Sequence, residues 1–429
     1  MKIISNPDRS EWNLLCSRPG IDTSELETTV KEIINIVRSG KDSAVQNLSQ
    51  KFDGTPAVNL QVSVVELIEA EGLISEELKK AIRVAKKNIE KFHSAQLSPE
   101  PVVEISEGIT CWRKSVAIEK VGLYIPGGSA PLFSTLLMLG IPAKIAGCKQ
   151  IVVCTPAGKN GKINPVILYT AKLIGIKEIY KAGGAQAIAA MAYGTESIPK
   201  VFKIFGPGNQ YVTKAKEMVQ LEGTAIDMPA GPSEVLVIAD KNANAEFIAA
   251  DLLSQAEHGI DSQVIMLTDD KELSDKVKSE VEKQVMLLPR KDIALKALEN
   301  SRIILFKDID ECVDFSNLYA PEHLIVSTNN SKQIADMVIN AGSVFLGNYS
   351  CESAGDYASG TNHTLPTNGF ARNYSGVSVD SFIKKITFQE ITADGLKNLG
   401  PSIEIMAEAE NLRGHRNAVS LRLKSLQND

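Results

Sequence analysis

Aromatic side chains are scarce in this sequence, and long apolar runs are absent. Phe, Trp and Tyr together make up 5% of the 429 residues, whereas Gly, Ala, Val and Ile are abundant, and this composition suits α/β packing better than an all-β sandwich. No apolar run reaches the roughly 18 residues that a membrane-spanning helix needs. A chain of this length that is 44% hydrophobic can still bury a large core, in two or more domains.

The sequence also lacks the features of several functional classes. Acidic and basic residues are interspersed and the formal net charge is -6, so we expect neither a nucleic-acid nor a membrane partner. The polar start MKIISNPDRSEWNLL has no apolar core of a secretory signal. No Cys-x-x-Cys pair occurs, which favours reduced thiols in a cytoplasmic compartment. The scattered cysteines are Cys16, Cys111, Cys148, Cys154, Cys312 and Cys351.

The sequence does contain a regular alternation of short β runs and helices. The segments VGLYIP, QIVVCTP, EIYKAG and KVFKIFG predict strands with helices between them. A second series follows AGPSEVLVIAD, with strands at SQVIMLT, RIILF and SVFLG. This alternation is typical of βαβ units and parallel sheets. It predicts an α/β fold with two Rossmann-like wound parallel-sheet domains, an N-terminal helical arm and a helical C-terminal tail.

Changes in this pattern give the expected domain boundaries. Residues 1–23 form a polar arm, residues 24–123 and 236–380 form the main α/β domain, and residues 124–235 form a second Rossmann-like domain. The tail, residues 381–429, has helical periodicity. It is too small to enclose a core of its own, so it should pack on something else.

Histidines and carboxylates suggest where the chemistry lies. Gln255 and His258 are spaced as i and i+3, on one face of a helix. They either converge on a metal ion, or His258 is a partly exposed residue that interacts with the end of the helix dipole. The other pairs are Glu322 with His323, Asp356 with His363, and Glu410 with His415. Histidines and acids that converge in space are what a metal site with a catalytic base requires. His93, by contrast, has the setting of a surface residue on a helix.

A complete Gly-x-Gly-x-x-Gly dinucleotide fingerprint is missing. The nearest match, GPGNQY from Gly206 to Tyr211, lacks the third glycine, and IPGGSAPLFS lacks the spacing. Both segments stand where a strand gives way to a helix. They are therefore either tight βα turns or places where backbone N–H groups bind phosphate oxygens. Ser233, in MPAGPSEVLV, is likewise either a hydrogen-bonding residue at a strand edge or an ordinary turn serine.

Several segments together resemble the histidinol dehydrogenase family. In chain order they are VGLYIPGGSAPLFST, GPGNQYVTKAK, PAGPSEVLVIAD, SQAEHG, APEHL, GDYASGTNHTLPT and AENLRGHRN. The resemblance runs from about Val121 into the tail, and the combination is far more specific than any one segment. It implies an enzyme of histidine biosynthesis that oxidises L-histidinol to L-histidinaldehyde and then to L-histidine, using two NAD⁺ in turn. It also implies a homodimer in which the tail completes the partner's site.

The resemblance further implies one Zn²⁺ per subunit and a role for each matching residue. The expected zinc ligands are Gln255, His258, Asp356 and His415. The expected substrate contacts are Ser233, Gln255, His258, His323, Asp356, His363, Glu410 and His415. The expected NAD⁺ contacts are Tyr124, Gln186 and Asn209. On this basis the main domain carries the zinc and the catalytic residues, and residues 124–235 bind NAD⁺.

The family's acid–base pair falls on Glu322 and His323. A neutral imidazole near pH 7 suits a base that takes the hydroxyl proton as hydride leaves, so His323 is the candidate. The aldehyde must then add water, and Glu322 can activate that water. Zinc either polarises the alcohol oxygen or positions the substrate, and the resemblance implies the second.

Other mechanisms and functions also fit parts of the sequence. A nucleophilic cysteine would form a thiohemiacetal during aldehyde oxidation, although Cys111, Cys148 and Cys154 have the settings of buried packing residues. A zinc hydrolase would use Glu322 to activate metal-bound water and would not depend on NAD⁺. A non-catalytic nucleotide-binding protein with a structural zinc would show metal-dependent stability without turnover.

Overall fold

The computed structural model describes residues 1–19, 24–54, 59–127, 131–229 and 231–427. The chain divides into two compact units. The first contains residues 1–96 and 118–382, and the second contains residues 97–117 and 383–429. No helix within the described ranges has both the length and the apolar character to cross a membrane.

The strands and helices follow one another in an order close to the predicted alternation. The strands are β1 (Lys2–Ser5), β2 (Val102–Ser106), β3 (Ile109–Ala117), β4 (Lys120–Tyr124), β5 (Gln150–Thr155), β6 (Glu178–Lys181), β7 (Lys203–Phe205), β8 (Ala225–Ile226), β9 (Glu234–Ala239), β10 (Gln263–Thr268), β11 (Arg302–Leu305), β12 (His323–Ser327), β13 (Ser343–Leu346) and β14 (Ile383–Ile391). The helices are α1 (Trp12–Leu15), α2 (Ser24–Asp53), α3 (Val64–Gly72), α4 (Glu76–Ser94), α5 (Phe133–Ala146), α6 (Pro165–Leu173), α7 (Gly184–Tyr193), α8 (Gln210–Leu221), α9 (Ala245–Ala256), α10 (Lys271–Val285), α11 (Lys291–Glu299), α12 (Ile309–Tyr319), α13 (Ser331–Ala335), α14 (Glu352–Tyr357), α15 (Ala393–Ala409) and α16 (Arg413–Ser425).

Two parallel sheets form the core of the first unit. Among the described residues, one sheet has six strands in the order β1-β11-β10-β9-β12-β13 and the other has five in the order β6-β5-β4-β7-β8. The central strands are continuous apolar runs, such as EVLVIA in β9, where every residue is buried. Such runs are expected because helices cover both faces of a parallel sheet. The predicted α/β fold with two wound parallel sheets is confirmed.

The N-terminal segment is more than a polar arm. Its first residues form β1, which pairs in parallel with β11, Lys2 lying opposite Arg302. Trp12 in α1 then packs edge-on against Phe306 and Phe315. A strand of four residues gives too short a pattern for the period-two test, so the sequence did not reveal it.

The helices between residues 24 and 94 pack against the five-stranded sheet. Val30 and Val37 of α2, for example, belong to one buried apolar cluster with Val152 of β5. The domain boundaries predicted from the sequence instead group residues 24–123 with residues 236–380 in the main domain. The structure also assigns all of β4 to the five-stranded sheet. The apolar face of a helix does not reveal which sheet it will cover, so the sequence could not make this assignment.

The second unit contains an antiparallel sheet and the last two helices. Its described strands have the order β14-β3-β2, and β14 pairs with β3 from Ile383 opposite Ala117 to Ile391 opposite Ile109. The tail is helical in α15 and α16, as expected, but it begins with a strand that helical periodicity did not predict. The partner strand is far away in sequence, so no local hairpin signal marks β14.

Candidate active site

A cavity of about 810 Å³ in the first unit contains many of the side chains singled out from the sequence. Those that line it are Ser233, Gln255, His258, Glu322, His323, Asp356 and His363. Ser233 and Glu322 directly precede β9 and β12, whereas the lining residues Pro126 and Pro207 follow β4 and β7. The cavity therefore lies between the amino edge of the six-stranded sheet and the carboxyl edge of the five-stranded sheet.

A tight turn delivers Glu322 and His323 to the start of β12. Helix α12 ends at Tyr319, and the capping residue Ala320 has a φ of 55°, a left-handed conformation that residues other than glycine seldom adopt. The chain then passes Pro321 and enters β12, where His323 lies opposite Val235 of β9. Unusual backbone conformations of this kind cluster at functional sites, where the surrounding structure compensates for their cost.

Helices α9 and α14 supply the remaining polar groups. Gln255 lies in the last turn of α9, and His258 lies in the turn beyond it, because the helix ends at Ala256. Helix α14 presents Glu352 and Asp356, which are spaced as i and i+4 and so share one face. Gly355 lets α14 approach β13 closely, since a Cβ atom there would lie 2.6 Å from the ring of Phe345.

His323 is surrounded by carboxylates. Its Nδ1 lies 3.7 Å from the carboxylate of Glu322, and its Nε2 lies 3.5 Å from that of Asp356. Burial lowers the pKa of His323, but the carboxylates of Glu352, Glu322 and Asp356 outweigh burial and raise this pKa to about 10. Burial raises the pKa of Glu322 to about 8, although His323 opposes the change. Three buried acids around one imidazole create a potential that favours a cation.

The donor atoms in this region fit a metal ion. Within the described residues, His323, Glu352 and Asp356 have potential ligand atoms within 4.8 Å of one another. His323 Nε2 and Asp356 Oδ1 are buried without a hydrogen-bond partner in the described part of the chain. This group shares Asp356 with the expected ligand set, whose members Gln255 and His258 line the same cavity. Nitrogen and oxygen donors of this kind are ones that Zn²⁺ accepts.

Two further histidines, His363 and His93, lie in different surroundings. His363 lines the cavity, and its Nδ1 lies 2.9 Å from the Asp356 carbonyl oxygen and its Nε2 3.1 Å from the Thr135 hydroxyl. Burial lowers the pKa of His363, which favours the neutral imidazole. The prediction that His93 is a surface residue is wrong: it is fully buried, with Nδ1 2.9 Å from the Ile89 carbonyl oxygen. His93 lies on the apolar face of α4, and its spacing from the apolar residues of that helix was already visible in the sequence.

Glu410 and His415 belong to the second unit. Glu410 is the residue at the C-terminal cap of α15, His415 lies in α16, and both are exposed. The cluster around His323 is formed by residues of the first unit. The roles expected for Glu410 and His415 therefore stay predictions.

A second cavity, of about 990 Å³, contains the three side chains expected to contact NAD⁺: Tyr124, Gln186 and Asn209. The Tyr124 hydroxyl accepts a hydrogen bond from the Gly184 N–H at 3.1 Å. Asn209 accepts from two backbone N–H groups at the start of α8. Gln186 Nε2 is buried and has no hydrogen-bond partner among the described residues. Asn209 also lines the cavity that holds Glu322 and His323, so the two cavities meet there.

Three residues near the site were not singled out from the sequence: Arg18, Glu234 and Glu352. The Gln255 side-chain amide contacts the carboxylate of Glu352, whose i, i+4 spacing from Asp356 was a visible signal on one helical face. Arg18 and Glu234 form an ion pair across 216 residues of sequence, and no local pattern marks such a pair.

Relatives of known type match this chain over its whole length. The model of the histidinol dehydrogenase family matches residues 16–423. Histidinol dehydrogenase of Bacteroides fragilis is 60% identical over 427 residues, which cover 100% of both chains. That of Yersinia pestis is 52% identical over 417 residues, covering 96% of this chain and 93% of the relative.

Solved structures agree with these relatives. The crystal structure of histidinol dehydrogenase from Elizabethkingia anophelis has a TM-score of 0.98 and 59% identity, and the match covers 100% of this chain and 99% of the other. An acetylating aldehyde dehydrogenase from Geobacillus thermoglucosidasius, 13% identical with a TM-score of 0.50 over 89% of this chain and 94% of its own, is similar in fold alone. The resemblance found in the sequence is confirmed. The chain belongs to the histidinol dehydrogenase family and is an oxidoreductase.

Proposed function

We propose that this protein oxidises L-histidinol to L-histidinaldehyde and then to L-histidine, passing one hydride to NAD⁺ in each step. The observation that supports this most strongly is the buried pair Glu322 and His323, which shares a cavity with the donor residues Gln255, His258 and Asp356. Two successive oxidations at one carbon need a base, a group that activates water and a means of holding the substrate throughout. The cavity contains a residue suited to each task.

His323 is the proposed base for both hydride transfers. Its Nδ1 lies 3.2 Å from the backbone carbonyl oxygen of Glu234. An N–H at Nδ1 that donates to this carbonyl makes Nε2 the position at which His323 exchanges a proton. The surrounding carboxylates raise the pKa of His323 to about 10 and so favour the protonated imidazole without a metal ion. The charge of a bound Zn²⁺ would offset these carboxylates, and Nε2 could then accept the hydroxyl proton. Glu322, in its ionised form, then takes a proton from the water that adds to the aldehyde, and the protonated His323 gives the proton it took from the alcohol to the carbonyl oxygen, which restores His323 as a base. The resulting geminal diol gives up the second hydride in the same way as the alcohol.

One Zn²⁺ per subunit is proposed to bind Gln255, His258, Asp356 and His415. When bound, the ion would hold the imidazole and amine of the substrate in a fixed position. Two observations support this: Asp356 Oδ1 is buried without a hydrogen-bond partner among the described residues, and His258 lines the same cavity. Ser233, His363 and Glu410 are the proposed contacts of the substrate's remaining polar groups.

NAD⁺ is proposed to bind in the larger cavity, against Tyr124, Gln186 and Asn209. That cavity adjoins the carboxyl edge of the five-stranded sheet, where ligands of open α/β sheets usually bind. Gln186 Nε2, which has no hydrogen-bond partner in the described part of the chain, is a donor available to the cofactor. Because Asn209 lines both cavities, a nucleotide in the larger cavity can extend its nicotinamide toward His323. Residues 124–235 are thus the proposed nucleotide-binding part.

Two other functions considered from the sequence have lost support. A zinc hydrolase would not use NAD⁺, and a non-catalytic nucleotide-binding protein would show no turnover. Both conflict with membership of an oxidoreductase family. Assembly into a homodimer in a cytoplasmic compartment remains part of the proposal.

The test is the stoichiometry of the reaction. Zinc-loaded protein is mixed with excess NAD⁺ and limiting L-histidinol, and the absorbance of reduced nicotinamide is followed to its end point. We expect two NADH per histidinol, with histidine as the product by chromatography. One NADH with accumulation of the aldehyde would contradict the two-step oxidation, and no NADH would contradict the whole proposal.

A further inference from the structure

Arg18, at the end of the N-terminal segment, forms a buried two-pronged contact with Glu234. Arg18 Nε donates to one carboxylate oxygen at 2.5 Å and Nη2 donates to the other at 3.0 Å. Nη2 also donates to the Tyr319 carbonyl oxygen at 2.8 Å, and the guanidinium lies 3.9 Å from the centre of the Tyr319 ring. The side chains of Arg18 and Glu234 are only 12% and 2% exposed. The planar guanidinium fixes a carboxylate in orientation as well as position.

The backbone of Glu234 contacts the residues proposed to perform the chemistry. Its N–H donates to the Glu322 carboxylate at 2.8 Å, and its carbonyl oxygen lies 3.2 Å from Nδ1 of His323. With its –NH2 toward Glu352, the Gln255 amide also brings its oxygen to 3.1 Å from the Glu234 nitrogen. A single residue thus contacts the proposed base, the proposed water activator and a proposed metal ligand.

Glu234 lies at the start of β9, before the pairing with β12 begins. Pairing between β9 and β12 begins only at Val235 opposite His323. On that side the Glu234 N–H therefore binds a side chain, the Glu322 carboxylate, in place of a strand. The Glu234 side chain is held by Arg18 and by the Asn368 N–H, which donates at 2.9 Å. Its orientation consequently depends on residues outside the sheet.

We propose that Arg18 and Glu234 are positioning residues for Glu322 and His323, an inference that rests on the proposed function. Arg18 neutralises the Glu234 carboxylate and fixes its orientation, and Glu234 in turn orients the acid and the imidazole through its backbone. Without Arg18, a buried negative charge would remain beside the Glu322 carboxylate. An uncompensated buried charge is strongly unfavourable, and the chain around Glu234 would rearrange to relieve it.

The test compares Arg18→Met, Arg18→Lys and Glu234→Gln with Arg9→Met. Arg9 is a matched control in the same segment, because its ion pair with Asp314 is exposed at the surface, with side chains 70% and 54% exposed. For each zinc-loaded protein, kcat and KM are measured separately with histidinol and with histidinaldehyde. We expect Arg18→Met to lower kcat for aldehyde oxidation by up to about 10²-fold, the scale of a small misplacement of reacting groups. KM for NAD⁺ should be unchanged, Arg18→Lys should recover part of the loss, and Arg9→Met should match the unmutated protein.

The deciding measurement repeats Arg18→Met in a Glu322→Gln background. If Arg18 acts through Glu322, the two losses in aldehyde oxidation will be far from additive, whereas a general structural role gives additive losses and overturns the inference. A rise in KM for histidinol with unchanged kcat also overturns it, because Arg18 would then contact the substrate directly. Should Arg18→Met fail to fold, Arg18→Lys carries the same comparison. Failure of the unmutated protein to oxidise histidinol would instead overturn the proposed function, so the two outcomes are distinguishable.

Discussion

The side chains of the site are held by neighbours of opposite or complementary character. His323 lies between the carboxylates of Glu322 and Asp356, and the Gln255 amide contacts Glu352. Each of these groups is buried or nearly so, and an unpaired buried polar group is costly. Replacing one of these side chains therefore removes its own function and also changes the charge and hydrogen bonding of its neighbours.

Replacing Glu322 with Gln should slow the second half-reaction more than the first. Only the aldehyde must add water, and a positioned acid or base contributes about 10²- to 10⁴-fold to a rate. His323→Asn should impair both half-reactions. Single-turnover rates with histidinol and with histidinaldehyde, supplied separately, make the comparison. Equal losses on the two substrates for Glu322→Gln would contradict the assigned roles.

Replacing His258 with Asn should remove the metal ion. The other proposed ligands in the cavity, Gln255 and Asp356, offer oxygen donors, which bind Zn²⁺ less strongly than imidazole does. Elemental analysis should show little zinc in this variant, and chelation of the unmutated protein should abolish turnover until Zn²⁺ is added back. His363→Asn is the control, because it lies outside the proposed ligand set and should keep its zinc. Full activity in a metal-free protein would refute the role of zinc.

Replacing Cys16 with Ser should leave aldehyde oxidation close to that of the unmutated protein. Cys16 lines the cavity, and burial raises the pKa of its thiol to about 11. Only about one thiol in 10⁴ is then ionised at neutral pH, and the thiolate is the nucleophile. A selective loss of aldehyde oxidation in this variant would indicate a thiohemiacetal route in place of hydration.

Among the secondary-structure elements, burial decided what the sequence could predict. The central parallel strands are continuous apolar runs between turn residues, so β9 and β10 were visible without a structure. β14 was not, because most of its residues are exposed and its partner β3 lies far away in sequence. Sequence separation likewise decided which site residues could be predicted. Gln255 and His258 are close in sequence and their spacing was visible, whereas the Arg18–Glu234 pair exists only after folding.

Helix α9 carries a half-buried acid, Asp251, whose titration should affect stability. Burial raises the pKa of Asp251 to about 7 from its ordinary value of 3.8. Below pH 4 the carboxyl group is protonated in both the folded and the unfolded chain. As pH rises from about 4 to about 7, the unfolded chain releases this proton more readily, so the group's contribution to the stability of the folded state is lost. The loss is up to about 4 kcal/mol, from the size of the shift.

Asp251→Asn should remove this part of the pH dependence. We expect the free energy of unfolding of the variant to exceed that of the unmutated protein by more at pH 8 than at pH 4. Urea unfolding of the chelated proteins at both values measures the difference and avoids the pH dependence of zinc binding. Asp394→Asn, at an exposed position in the first turn of α15, serves as a control for the removal of one carboxylate from a helix. An equal difference at pH 4 and pH 8 would contradict a raised pKa at Asp251.

For the whole molecule, the tail raises the question of how a complete site is assembled. Glu410 and His415 are exposed on α15 and α16 in the second unit. The proposed homodimer exchanges this tail, which is a low-cost route to a two-fold assembly. His258→Ala and His415→Ala proteins, each inactive, should then restore activity after being unfolded and refolded together.

The expected recovery follows from the symmetry of the dimer. In a mixed dimer one site collects both substitutions and the other collects none. Random pairing makes about half of the dimers mixed, so roughly a quarter of all sites should be intact. Each protein refolded alone is the control. If verified mixed dimers stay inactive, the tail completes the site of its own subunit.

The parallel pairing of β1 with β11 has a consequence for biosynthesis. Residues 2–5 leave the ribosome long before their partner strand, which is translated about 300 residues later, a delay of tens of seconds at typical elongation rates. Meanwhile the helices from residue 24 onward and the strands of the five-stranded sheet emerge consecutively and can already fold. Arg18, which follows β1, consequently cannot reach Glu234 in a finished sheet until β11 and β12 have been made. The five-stranded sheet, which carries the proposed NAD⁺ site, can therefore form early in synthesis, whereas the six-stranded sheet and the proposed catalytic pair must wait until β11 and β12 have been made.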